Sequence, residues 1–323
     1  MEVVMKLMLA TDGSQQALTA ARTAMRLLRK EDWQSELVCV VPETVPPQPA
    51  GKTTQHKLAQ RIAHFREQLK LEAHKLLVQA QAALVTEGVR AEIRILSGSP
   101  AKQLLKLGAD YDLLVVGAHD QYARTKPGLG PVAERVLAQT LAATLIGREL
   151  TGERSWRVLV AVDGSLAGYR ALRQAVEWFK LEVCDITLLH VTETPWFQLG
   201  DESYWQDRRN WRDWLNETEE AYEHGEPAKP LGNELLLEAE AVLNRAQNIL
   251  GQAGLGATTQ IEEGEPALEI LSEAERGAYD LIVLGATGAP GTAHDLKHDL
   301  LGSVSAKVAR DAPCSVFIAR FVE

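Results

Sequence analysis

The strongest constraint on the fold of this chain is an internal repeat, whose period of about 150 residues is that of a whole domain. Three blocks recur in the same order: residues 5–14 match 156–165, residues 97–101 match 263–267, and residues 111–117 match 279–285. Agreement of this kind indicates a duplication. We therefore expect two domains of the same fold, at residues 1–150 and 156–323, joined by a short polar segment.

Each repeat alternates short apolar runs, rich in branched residues, with segments whose apolar positions recur at helical spacing. This alternation is typical of an α/β fold with a parallel sheet and right-handed crossovers. The predicted strands are residues 3–10, 36–42, 90–96, 111–117 and 143–148, then 156–162, 184–192, 257–262, 280–285 and 314–321. Five strands of this pattern favour an open, doubly wound sheet of order 3-2-1-4-5, with its switch point between strands one and four. A ligand is expected at the carboxyl ends of those two strands.

A glycine-rich sequence follows the fourth strand of the second repeat. Gly285 and Gly288 allow the backbone to turn sharply and to approach a ligand closely. Gly302 and Ser303 then begin a segment of helical period. The unpaired N–H groups of a helix start, its positive dipole end and nearby hydroxyl groups together favour an anion, most naturally a phosphate.

This order of strand, Gly-x-x-Gly, spacer, Gly-Ser and helix, followed by the apolar run 312–318, resembles the carboxyl end of a universal stress protein domain. The resemblance covers nearly the whole chain and identifies it as a tandem, two-domain member. It implies an adenine-nucleotide alpha hydrolase-like fold, with the same strand order in each half. The family has nine residues between the second glycine and the Gly-Ser pair, whereas this chain has thirteen, at 289–301. The four extra residues either bulge outward or close the pocket.

The resemblance also implies which residues hold a nucleotide. In nucleotide-binding members the end of the first strand contacts the adenine, the end of the second lines the base pocket, and the two glycine motifs hold the phosphates. The matching positions here are Val162, Asp163, Val191, Gly285, Gly288, Gly302, Ser303, Val304 and Ser305. Their chemistry suits these roles, because a carboxylate accepts from an exocyclic amine and glycines admit phosphate against the backbone. Asp163 is equally expected as a turn or capping aspartate, and Gly302-Ser303 also fits an ordinary helix start.

The first repeat departs from the same pattern. It keeps Asp12, but Asp120 stands where the second glycine belongs, and Gly130 is followed by Pro131 in place of serine. Proline is a good first helical residue, yet it removes an N–H group and a hydroxyl group. Asp120 adds a negative charge where phosphate would lie. We therefore expect a degenerate site in the first repeat and a ligand-competent site in the second.

Composition narrows the class of protein. Hydrophobic residues make up 46% of the chain and charged residues 24%, an ordinary balance for a soluble globular protein. The first 150 residues carry 19 basic and 15 acidic side chains and the remainder 15 and 29, so the acidic total argues against a nucleic-acid surface. No apolar run reaches the roughly eighteen residues of a membrane span, and no signal peptide is evident. Three cysteines in or beside strand-like runs fit buried thiols, and we expect a cytoplasmic protein.

Universal stress domains commonly pair through their last strands, and two such strands lie on this one chain. We therefore expect residues 144–148 and 315–320 to pair as an intramolecular pseudo-dimer, which would hide both strand edges. This arrangement leaves room for a further homodimer.

Two functions from different classes fit the sequence. The favoured one is a stress-response regulatory protein that binds an adenine nucleotide (ATP, ADP or AMP) in the second repeat, with Mg²⁺ accompanying ATP. The alternative is a nucleotide-free scaffold that engages a protein partner through the acidic, tryptophan-rich insertion 194–232. A weak ATPase is a third and less favoured hypothesis, because loops that could position ATP exist but no base or metal carboxylate is identifiable. His294 and His298 lie one helical turn apart, but without a third ligand a solvated helix face is the better interpretation.

Overall fold

The structure is a computed structural model that describes residues 4–29, 33–43, 52–118, 128–150, 155–192, 231–288 and 301–321, with the backbone alone at 52–60 and 231–234. The elements of the first half are β1 (Met5–Ala10), α1 (Gln15–Leu27), β2 (Trp33–Val41), α2 (Lys52–Val85), β3 (Ala91–Ser97), α3 (Pro100–Gly108), β4 (Leu113–Gly117), α4 (Pro131–Gln139) and β5 (Ala143–Gly147). Those of the second half are β6 (Trp156–Ala161), α5 (Leu166–Trp178), β7 (Cys184–Thr192), α6 (Leu231–Gln252), β8 (Thr258–Glu263), α7 (Pro266–Arg276), β9 (Leu281–Gly285), α8 (Ser303–Asp311) and β10 (Ser315–Ala319).

All ten strands form one sheet of order β3-β2-β1-β4-β5-β10-β9-β6-β7-β8. Within each half the neighbouring strands are parallel. The order 3-2-1-4-5 predicted from the sequence is therefore confirmed in both halves. Strand bounds agree with the predicted ones to within a few residues. The largest difference is β2, which begins at Trp33 because its first residues pair with β1 from Met5 onward.

The helices cover both faces of the sheet. One hydrophobic core lies under α1, α2, α5 and α6, and a second lies under α3, α4, α7 and α8. Serine caps position the first helix of each half: Ser14 Oγ accepts from Ala17 N at 3.1 Å, and Ser165 Oγ accepts from Gly168 N at 3.0 Å. Both caps directly follow the strand at the switch point, so they fix the direction in which the chain leaves that point.

The two halves join through an antiparallel pairing of β5 and β10, in which Leu145 lies opposite Phe317. This is the pairing predicted for the last strands, and it is confirmed. An arginine follows each of these strands and crosses into the other half. Arg148 donates to the carbonyl oxygens of Cys314 at 2.8 Å and Ala309 at 3.0 Å. Arg320 donates to the carbonyl oxygens of Thr140 and Leu137.

These two arginines form a reciprocal clamp, because each holds the carboxyl end of the last helix of the opposite half. Cations are favoured at that end of a helix. Burial lowers the pKa of both guanidinium groups, that of Arg320 to about 10, which reflects how little water reaches the joint. A second contact joins the carboxyl ends of α1 and α5, where Arg29 N donates to Trp178 O and Lys180 N donates to Leu27 O, each at 2.9 Å.

Among the helices that the structure describes, none is long and apolar enough to cross a membrane. The tryptophan-rich insertion 194–232 lies outside the described residues, except for the first residues of α6.

Candidate functional site

Asp163 occupies the turn between β6 and α5, at the switch point of the second half. Its Oδ1 atom accepts hydrogen bonds from Ser165 N at 3.0 Å and from Ser165 Oγ at 2.6 Å. The turn passes through Gly164, whose φ of +81° is unfavourable for residues with a side chain. One oxygen of Asp163 therefore has the turn-stabilising role that the sequence allowed. The other oxygen, Oδ2, faces the loop that follows β9.

Gly288 lies directly against that second oxygen. A Cβ atom at position 288 would stand 2.7 Å from Asp163 Oδ2, closer than real side chains come. Gly285 is also confined, because a Cβ atom there would lie 3.2 Å from the carbonyl carbon of Ala167 in α5. The first glycine of the motif thus lets α5 pack on β9. The second lets the backbone after β9 pass over the carboxylate.

The start of α8 is docked onto the same loop. Gly302 N donates to Ala286 O at 2.7 Å, and a Cβ atom on Gly302 would lie 3.9 Å from Gly288 N. The first half has the matching bond, from Gly130 N to Ala118 O at 2.8 Å. The first half has the nine-residue spacer of the family, and the second half has four residues more. Since both halves make the same bond, the extra residues do not shift the start of α8 relative to the loop after β9. The extra residues themselves lie outside the described part of the chain.

The N-terminal end of α8 presents backbone donors at this docked position. The first hydrogen bond of the helix runs from Ala306 N to Gly302 O at 2.9 Å, so the N–H groups of Ser303, Val304 and Ser305 precede it. Ser303 is exposed and Val304 is half-buried. In the first half the corresponding bond runs from Glu134 N to Gly130 O. Pro131 takes the place of Ser303 there, so α4 offers one N–H fewer.

Ser305 is the residue whose predicted role the geometry does not support. Its side chain is buried, and its Oγ donates to the carbonyl oxygen of Gly285 at 2.7 Å. A hydroxyl group has one hydrogen, and here it is used within the fold. The side chain of Ser305 therefore fastens α8 to the end of β9 instead of donating to a phosphate, although its backbone N–H stays at the helix start.

The base-side residues lie at the ends of β6 and β7. Val162 is buried, and its N–H donates to Leu189 O at 2.9 Å. Its carbonyl oxygen accepts from His190 Nδ1 at 2.8 Å, and Val191 follows in a half-buried position. His190 is not among the residues predicted for the site. The bond to Val162 fixes the ring, with the proton on Nδ1 and with Nε2 directed away from that carbonyl.

The structure therefore brings all nine predicted residues to the carboxyl edge of the second half of the sheet. They come from the ends of β6, β7 and β9 and from the start of α8. In the part of the chain that the structure describes, no three His, Cys, Asp or Glu side chains come together as a metal site. His294 and His298 lie outside the described residues.

Comparison with known proteins gives the family. The model of the universal stress protein family matches residues 4–146 and, a second time, residues 156–320. The chain belongs to the universal stress protein family. The two matches cover the two repeats, and the resemblance inferred from the glycine motifs is confirmed.

Individual relatives of this universal stress protein match either one repeat or the whole chain. The universal stress protein YxiE of Bacillus subtilis is 32% identical over 164 residues, which is 51% of this chain and 98% of the relative. A universal stress protein of Mycolicibacterium smegmatis is 23% identical over 321 residues, 97% of this chain and 96% of the relative. The crystal structure of a universal stress protein from Archaeoglobus fulgidus covers 98% of both chains with a TM-score of 0.63 and 19% identity. The last comparison supports the tandem fold.

Proposed function

We propose that this universal stress protein binds one adenine nucleotide per chain, in the second half, and acts as a nucleotide-dependent regulator in the stress response. The observation that carries the proposal is the docked start of α8, where Gly302 N donates to Ala286 O. That bond places the N-terminal end of the helix beside Gly288 and Asp163, at the switch point where ligands of doubly wound sheets bind.

The phosphates lie, in this proposal, at the start of α8. The N–H groups of Ser303, Val304 and Ser305 precede the first hydrogen bond of the helix, and the exposed hydroxyl of Ser303 adds a fourth donor. The helix dipole favours a negative charge at the same place. Gly288 keeps the loop after β9 close to this helix start, since a Cβ atom at that position would meet Asp163 Oδ2. Mg²⁺ would accompany ATP as its counter-ion.

The base lies between the ends of β6 and β7. Asp163 is proposed to accept from the exocyclic amine of adenine, and Val191 to line one face of the base pocket. His190 adds a residue to this set. With its Nδ1–H bonded to Val162 O, the ring directs Nε2 away from that carbonyl, where it could accept from a ribose hydroxyl group.

The stoichiometry follows from the difference between the helix starts. Pro131 removes one backbone donor and the hydroxyl from the first half, so only the second half retains the full set. One nucleotide per chain is therefore expected.

The test is calorimetric titration of the full chain with ATP, ADP and AMP, with native mass spectrometry to count the bound molecules. We expect one site for at least one of the three nucleotides. At a hundred times its dissociation constant, that nucleotide should stabilise the fold by about 2.7 kcal/mol, visible as a raised melting temperature. No heat and no thermal shift with any nucleotide would reject the proposal and leave the scaffold function. Phosphate release during the ATP titration would show hydrolysis.

A further inference from the structure

The first half contains an open crevice at its own switch point. The cavity measures about 480 Å³, within the range of small-molecule sites. Its floor is made by the ends of β1, β2 and β4, one wall by α2 and the other by the start of α4. The sequence predicts only a degenerate nucleotide site here.

The walls of this crevice are mostly apolar. Leu69, Ala73 and Leu76 of α2 face the strand ends, and Val132 closes the side of α4. The Leu76 side chain lies close to the loop after β1, because a Cβ atom at Gly13, where φ is +82°, would stand 2.7 Å from it.

The floor holds a buried thiol close to a carboxylate. Cys39 lies there, at the position that His190 has in the second half, and burial is the main cause that raises its thiol pKa to about 11. The charge of Asp12 raises that pKa further, so the carboxylate acts on the inside of the cavity.

Two carboxylates lie on the described lining of the cavity. Among the described residues that line the cavity, the charged ones are Asp12 and Glu72, and none is Lys, Arg or His. At the opposite end Pro131 withdraws an N–H from the helix start that would receive a phosphate. An anion in this crevice would be repelled, whereas a cation with an apolar body would meet both carboxylates and the apolar walls.

We infer that the first-half crevice is a second ligand site, specific for a small organic cation with an apolar body. It is separate from the proposed nucleotide site and does not depend on it. The ammonium group would lie between Asp12 and Glu72, and the apolar body would lie against Leu69 and Leu76.

The test compares two probes of similar size and opposite charge, 2-phenylethylammonium and 3-phenylpropionate, titrated into the full chain and followed by calorimetry and saturation-transfer NMR. We expect one ammonium probe per chain, bound at least about tenfold more tightly than the carboxylate probe. Saturating ATP should leave the affinity for the ammonium probe within about twofold.

Two substitutions and one matched control locate the site. The Asp12→Asn and Glu72→Gln changes together should weaken binding of the ammonium probe by about tenfold or more. Glu238→Gln is the control, because α6 packs on Gly164 through Val242 as α2 packs on Gly13 through Leu76, four residues further along each helix. It should change the affinity by less than about twofold. Thermal unfolding of each variant checks that it folds.

Several outcomes overturn the inference. One is the absence of saturable binding of the ammonium probe, and another is equal affinity for the carboxylate probe. Displacement of the ammonium probe by ATP would place it in a nucleotide site instead. Loss of probe binding in Glu238→Gln, with no loss in the Asp12→Asn and Glu72→Gln variants, would also place the probe in the second half.

Discussion

The starts of α4 and α8 share one backbone geometry and differ in what they offer a ligand. Each begins with a glycine whose N–H donates to an alanine carbonyl oxygen just after the preceding strand, at 2.8 Å in the first half and 2.7 Å in the second. Pro131 follows the glycine in one case and Ser303 in the other. The docking bond is thus common to both halves, whereas the donors beyond it differ.

The same contrast recurs two residues further along. Ser305 fastens α8 to Gly285 O, and the corresponding position of α4 holds Ala133. At the end of the second strand of each half, Cys39 stands where the second half has His190. The two halves therefore share a backbone arrangement and differ in polar side chains at these positions. Four substitutions test which contacts belong to the shared part and which to the divergent part.

The largest effect is expected in the shared part, at the reciprocal clamp. Arg320→Ala would leave the buried carbonyl oxygens of Thr140 and Leu137 without their donor. Because each orphaned acceptor costs on the order of 1–3 kcal/mol, we expect the free energy of unfolding to fall by about 3 kcal/mol in urea denaturation. The control is Arg310→Ala, which breaks an exposed pair with Glu134 and should cost less than about 1 kcal/mol. Equal losses would show that the clamp does not hold the halves together.

The next effect is on the nucleotide affinity of the second half. Gly288→Ala would put a Cβ atom 2.7 Å from Asp163 Oδ2, so either the carboxylate or the loop must move. We expect the dissociation constant for the nucleotide to rise at least about a hundredfold, measured by calorimetry. Gly251→Ala in α6 is the control, since its Cβ atom meets nothing within 4 Å. It should leave the affinity unchanged and stabilise the helix by up to about 1 kcal/mol.

A proline at position 303 would give α8 the same first residue as α4. Ser303→Pro removes one N–H and one hydroxyl while proline remains acceptable at the first helical position. We expect a loss of nucleotide affinity of about ten- to a hundredfold, with little change in melting temperature. Ser303→Ala, which removes the hydroxyl alone, should lose less, about three- to tenfold. If both variants bind as the unmodified protein does, the start of α8 does not hold the phosphates.

The smallest effect separates the two serines of the helix start. Ser305→Ala should lower the free energy of unfolding by about 1 kcal/mol, because Gly285 O loses a hydrogen bond. The nucleotide affinity should stay within about threefold, since the backbone N–H remains. Paired denaturation and binding measurements on Ser303→Ala and Ser305→Ala compare the two roles. A large affinity loss in Ser305→Ala with unchanged stability would return this hydroxyl to the phosphate site.

The sequence was sufficient for the strand order, the pairing of β5 with β10 and the grouping of the glycine motifs at one edge. The strand order and the grouping of the glycine motifs follow from the alternation of strands and helices and from chain direction, whereas the pairing of β5 with β10 was implied by the family resemblance. The direction of the Ser305 hydroxyl was not predictable, because its acceptor, Gly285 O, belongs to β9, a different element. The contact of His190 Nδ1 with Val162 O was not predictable for the same reason. The open crevice of the first half was missed because its walls are ordinary apolar positions of α2, which no motif distinguishes from core.

The antiparallel joint has one geometric consequence for ligands. Because β10 runs against β5, the carboxyl ends of the two sets of strands point to opposite rims of the continuous sheet. Asp12 and Gly117 lie at one rim, and Asp163 and Gly285 lie at the other. Ligands at the two proposed sites would therefore bind at opposite rims of the sheet. α8, which starts at the proposed second-half site, ends against Arg148 of the first half. The two sites therefore lie at opposite rims of the sheet, and the paired strands β5 and β10 lie between them.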